Sequence, residues 1–95
     1  MWYTSGSGRI ELQLTKSQAQ TGSHQGRCDN DIAYLRTLPA IKKQLDKLDA
    51  ETLRNELDEY GAWDDEQLAN HDENLTRILW IACGDILAEI HMKGK

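Results

Sequence analysis

From residue 9 to residue 14 the chain alternates polar and apolar side chains, Arg9-Ile10-Glu11-Leu12-Gln13-Leu14, the period of a strand with one buried face. Ile10, Leu12 and Leu14 are expected to face a core. Trp2-Tyr3-Thr4 is a short β-prone run, and Ser5-Gly6-Ser7-Gly8 between the two runs tolerates a tight turn. Residues 1–14 therefore predict a β-hairpin. A lone two-stranded ribbon is marginal in water, so this one must pack on helices.

Beyond Leu14 the period lengthens. Thr15 and Gln18 have the spacing of a capping box, which predicts about one helical turn over residues 15–20. Thr21-Gly22-Ser23-His24-Gln25-Gly26-Arg27 carries no apolar side chain and reads as a surface loop. Asp29 or Asn30 can cap a helix carrying Ile32, Leu35 and Leu38. Pro39 ends it and suits the first turn of the next, which places Ile41, Leu45 and Leu48 on one side. Asp49 caps another, with Leu53, Leu57 and Tyr60 on one face and Gly61 just past its end.

The strongest start signal lies at Asp64. Gln67 completes a capping box, Trp63 and Leu68 have the spacing of a hydrophobic staple, and Asp65 and Glu66 suit the positive end of the helix dipole. One long helix is expected from there, with Leu68, Leu75, Ile78, Leu79, Ala82, Ile86 and Ile90 on its core stripe. Trp80, Ile81, Cys83 and Leu87 lie off that stripe, so this helix is either central to the domain or part of a subunit interface. Gly84 inside it costs up to about 1 kcal/mol relative to Ala, which close packing by a neighbouring element would explain. The fold class that follows is α+β and mostly helical. A single domain over residues 1–95 is expected, with a hairpin at 1–14, a short helix and polar loop at 15–28, and three or four helices over 29–92, the last the longest.

Composition narrows this picture. Val and Phe are absent, which disfavours an extensive sheet. Sixteen acidic residues against eleven basic ones give a net charge of −5, and the only compact basic cluster is Lys42, Lys43 and Lys47, so direct nucleic-acid binding is not expected. The apolar run Ile78 to Cys83 falls far short of the roughly 18–20 residues that span a bilayer, and no membrane association is expected. Met1-Trp2-Tyr3-Thr4 lacks the features of a secretion signal, and Cys28 and Cys83 stand far apart, so reduced thiols in a cytoplasm are the expectation.

Candidate chemistry is sparse. His24 and Cys28 lie four apart near a helix start, beside Asp29, where the dipole favours a thiolate and His24 can act as base. The plainer reading is an exposed loop histidine and a small helix-start residue. His71, His91 and Cys83 form no paired ligand spacing, so no metal and no cofactor is expected. His71 reads as a partly buried histidine making one hydrogen bond, and Cys83 as a small hydrophobe. Carboxylates crowd the stretch from Asp46 to Glu73, including Asp58-Glu59, Asp64-Asp65-Glu66 and Asp72-Glu73. Capping and the dipole account for Asp49, Asp64, Asp65 and Glu66; the remainder is a solvated face or a surface for a basic partner. Arg54 with Asp58 and Glu73 with Arg77 are expected as i,i+4 pairs. A solvent-facing Trp80 beside Leu87 would form an apolar patch of the kind that marks contact surfaces; burial against the hairpin is the alternative.

Three segments read together carry a resemblance: Ser23-His24-Gln25-Gly26-Arg27-Cys28-Asp29, the stretch from Leu53 through Tyr60-Gly61-Ala62-Trp63 to Leu68, and Arg77-Ile78-Leu79-Trp80-Ile81-Ala82. They resemble small uncharacterised bacterial proteins carried on phages, plasmids and other mobile elements. The resemblance implies a bacterial cytoplasmic setting and an accessory role, and transfers no functional residue. The leading expectation is a non-enzymatic protein–protein interaction module acting through Asp58, Glu59, Asp64 and Asp65 or through Trp80 and Leu87. A structural homodimer built on the last helix, and a small thiol- or metal-dependent enzyme using His24 and Cys28, are the alternatives.

Overall fold

The computed structural model describes residues 1–23 and 29–93. Among them lie strands β1 (Trp2–Thr4) and β2 (Glu11–Gln13) and helices α1 (Lys16–Ser23), α2 (Asp29–Thr37), α3 (Pro39–Leu45), α4 (Ala50–Asp58), α5 (Asp65–Leu68) and α6 (His71–Lys93). The fold is α+β, with the hairpin packed on helices and the longest helix last. No described helix is long and apolar enough to cross a membrane.

The hairpin is antiparallel, with Tyr3 opposite Leu12. Tyr3, Ile10, Leu12 and Leu14 are buried, whereas Trp2, Thr4, Glu11 and Gln13 are exposed, so the alternation sorts its side chains as expected. The regular ladder is shorter than the alternating run because Ser5 closes the turn end. Its N–H donates to Ile10 O at 2.9 Å, and its Oγ accepts from Ile10 N–H at 3.1 Å. The free edge of β2 is met by a side chain: Gln44 Oε1 accepts from Gln13 N–H at 2.6 Å, and Gln44 Nε2 donates to Gln13 O at 2.9 Å. An amide in place of a third strand satisfies this edge.

The Thr15–Gln18 capping box is present, with both reciprocal bonds at 2.9 and 3.1 Å. The helix it starts is longer than one turn, however, and continues through Thr21 and Gly22, which the sequence assigns to a surface loop. Packing overrides composition here. Gly22 is buried so closely against α6 that a Cβ would collide with Cys83 Sγ and stand 2.9 Å from Leu35 Cδ1. Ala19, three residues earlier, is fully buried, so two small residues let α1 approach α6. The remainder of the expected loop, with His24 and Cys28, lies outside the described residues.

Pro39 opens α3 as expected, but α3 stops at Leu45, and Leu48 follows in a turn closed by its N–H to Leu45 O at 3.0 Å. Asp49 caps α4 by accepting from Thr52 N–H at 3.1 Å. The single long helix expected from Asp64 is two. Asp64 and Gln67 form the capping box of α5, at 3.0 and 2.8 Å, but the chain turns at Ala69-Asn70 and Asn70 Oδ1 caps α6 through Glu73 N–H at 3.1 Å. Side chains of α6 claim carbonyls that the break releases. Asn74 Nδ2 donates to Leu68 O at 2.8 Å, and Arg77 Nη1 donates to Gln67 O at 3.0 Å.

α6 is the central helix. Ile78, Leu79, Ala82, Cys83 and Ile86 are almost wholly buried, in one cluster with Ala19, Leu35, Leu53, Leu57 and the hairpin's inward residues. Burying each large aliphatic side chain contributes about 1.5–3 kcal/mol. Arg36 fixes α2 to the first turns of α6, donating to Asp72 Oδ1 at 2.6 Å and Thr76 Oγ1 at 3.0 Å.

Candidate interaction surface

The amphipathic stripe of α4 contains an acid. Leu53, Glu56 and Leu57 share the face that meets the core, and all three are buried. Glu56 is 3% exposed as a residue and makes no hydrogen bond or ion pair with the described residues, but its carboxylate oxygens are not enclosed as His71 Nδ1 is. Interior charges are ordinarily paired, because removing one from water is costly. Glu56 instead lines an open cleft of about 240 Å³ whose other walls are Gly6, Glu59 and Tyr60. Gly6 comes from the hairpin turn, and Glu59 and Tyr60 follow the end of α4, so the cleft forms where hairpin and helix meet.

The electrostatics of this end run against helix stability. The last turn of α4 holds no basic residue; it ends in Asp58, with Glu59 at the C-cap position. Acids at the negative end of a helix dipole are unfavourable, and capping does not account for them. Tyr3, buried behind the cleft, meets Tyr60 hydroxyl to hydroxyl at 3.2 Å. Burial, the bond to Tyr60 and the nearby charges of Asp85 and Glu56 hold the Tyr3 phenol protonated well beyond the usual tyrosine range.

The acids singled out by sequence divide. Asp58 and Glu59 are exposed at the end of α4, next to the cleft. Asp64 is consumed as the cap of α5, and Asp65 lies 3.5 Å from Arg54. The expected Arg54–Asp58 pair does not form, because Arg54 reaches across to α5; the Glu73–Arg77 pair does, at 3.0 Å. Arg77 also stacks 5.4 Å over the Trp63 ring, and Trp63 meets Tyr60 edge-on, which anchors the aromatic residues at this end. Glu56, Tyr3 and Tyr60 are absent from the sequence-derived site. A signal existed: Leu53, Glu56, Leu57 and Tyr60 occupy i, i+3, i+4 and i+7, so an acid stands at a core position of an otherwise apolar stripe.

On the opposite kind of surface, Trp80 of α6 is 47% exposed and Leu87, two turns on, is half-buried. Gly84 between them has nothing within 4 Å of the position a Cβ would occupy. Among the described residues, no element packs there. Cys83 is fully buried, and burial pushes its thiol up to about 11. His71 is partly buried as expected but lacks the expected hydrogen bond, its Nδ1 being enclosed without a partner. It lines a second cleft, of about 410 Å³, in which Glu51 and Arg54 bring both signs of charge. Asp29 begins α2, and no group of three metal-ligating side chains comes together among the described residues. Comparison of the chain with protein-family models, with curated proteins and with solved structures finds no match.

Proposed function

We propose that the protein is a non-enzymatic interaction module that presents the acidic end of α4 to a basic protein partner, in the bacterial cytoplasmic setting that its sequence resemblance implies. The observation that carries this reading is Glu56, an acid on the core face of α4 that has no partner among the described residues and opens onto a cleft beside Asp58 and Glu59. Neither folding nor helix capping accounts for these charges, whereas a partner's cations would neutralise them. Titration calorimetry with an arginine-rich peptide tests it. Binding that weakens steeply as salt rises is expected. No binding at low salt would overturn the reading.

A second reading, a homodimer built on the outer face of α6, is favoured by one observation: Gly84 is open between Trp80 and Leu87. A glycine costs helix stability unless another backbone approaches it, and among the described residues none does. Light-scattering mass over a concentration series distinguishes the two. A strictly monomeric mass at high micromolar concentration removes the dimer.

A further inference from the structure

We propose that the cleft between the hairpin turn and the end of α4 is a receptor for one guanidinium group, the side chain of an arginine on the basic partner. This rests on the interaction-module reading and deepens it from a charged surface to a defined pocket. Four observations converge. Glu56, only 3% exposed as a residue and without a counter-charge among the described residues, turns its carboxylate oxygens to the cleft rather than enclosing them in the core. Glu59 supplies a second carboxylate at its rim, and Tyr60 an aromatic ring. The negative end of α4 adds to the same potential. The Tyr3–Tyr60 hydroxyl bond fixes the ring to the buried face of the hairpin, so the pocket is formed before a ligand arrives.

The chemistry selects guanidinium over other cations. A divalent metal needs several converging ligands, and no group of three acids, histidines or cysteines converges among the described residues. An ammonium ion is compact and strongly hydrated, and loses more on entering a partly buried cleft. Guanidinium is planar, weakly hydrated and permanently charged; it donates to two carboxylate oxygens at once and stacks on aromatic rings. The cleft offers partners for each of those properties.

The test is calorimetric titration of the intact protein, at physiological salt, with a capped peptide of alternating arginine and glycine and with its lysine counterpart. The proteins are wild type, Glu56→Gln, and Asp46→Asn, which removes the same charge from an exposed acid outside the cleft. The arginine peptide is expected to bind more tightly than the lysine one. Glu56→Gln is expected to weaken it by about tenfold or more, as for loss of a charge-assisted bond, and Asp46→Asn by about twofold at most. The amide resonances of Gly6 and Tyr60 are expected to shift on titration. Equal weakening by the two variants would overturn the pocket while leaving an acidic docking surface. Equal affinity for the lysine peptide would overturn the guanidinium assignment. No binding of either peptide by wild type, even at low salt, would remove the pocket and the underlying reading together.

Discussion

Tyr3 and Tyr60 join the first strand to the turn after α4 through hydroxyls 3.2 Å apart, across 57 positions of sequence. Tyr3 is the buried member, and its phenol resists ionisation chiefly because burial disfavours the phenolate. A raised pKa of this kind stabilises the fold below the unfolded tyrosine value of 10.0 and is lost as pH climbs beyond it. Ultraviolet titration is therefore expected to show one tyrosine still protonated after ordinary tyrosines have ionised. That signal should vanish in Tyr3→Phe, whose stability falls by about 0.5–1.5 kcal/mol through the lost hydrogen bond.

Two glycines on facing and outer surfaces should respond with opposite sign. Gly22→Ala forces a methyl against Cys83 and Leu35 and is expected to cost about 1–3 kcal/mol. Gly84→Ala meets open space and should stabilise the monomer by about 0.5–1 kcal/mol. Paired thermal melts at low protein concentration check both. A destabilising Gly84→Ala would mean that something does pack on that face.

The Cys83 thiol is pushed up to about 11 from the ordinary 9.0 by burial. Its neutral form is thus favoured by folding, and this contribution holds below pH 9 and is lost as pH rises through about 11. In a Cys28→Ser background, native protein is expected to react with a thiol reagent only as fast as it opens. Immediate reaction at neutral pH would contradict the burial of α6.

Arg36 holds the Asp72 carboxyl below its usual value of 3.8, through a hydrogen bond and then its charge. A lowered carboxyl pKa stabilises above the unfolded value and is lost as pH falls through the folded one. Arg36→Ala should therefore melt earlier at neutral pH, with a shallower further loss in acid than wild type. Parallel acid limbs in the two proteins would count against the pair.

Much of this architecture was legible where short-range rules act. Ile10, Leu12 and Leu14 gave the buried face of the hairpin by alternation, and Thr15–Gln18, Asp49 and Asp64–Gln67 gave helix starts by side-chain bonds to nearby backbone. What escaped depends on long-range contact. Gly22 must be glycine because Cys83, far along the chain, leaves room only for hydrogen where α1 packs on α6. The break at Ala69-Asn70 survives because Asn74 and Arg77 satisfy its carbonyls, a pairing that apolar periodicity does not register. The site divides in the same way. Glu59 and Asp58 stood out as clustered acids, but Glu56 stood out only as one charge in a core stripe, and its cleft needs Gly6 from the far end of the chain.

On the proposed function, the charge of Glu56 serves recognition rather than the fold. Thermal unfolding of Glu56→Gln tests it most directly. Neutralising a carboxylate crowded with Asp58 and Glu59 at the negative end of α4, while keeping its shape, should raise Tm; each 1 kcal/mol gained corresponds to roughly 4–8 °C for a domain of this size. A lower Tm for Glu56→Gln than for wild type would show that the carboxylate holds the fold together, and would contradict the account.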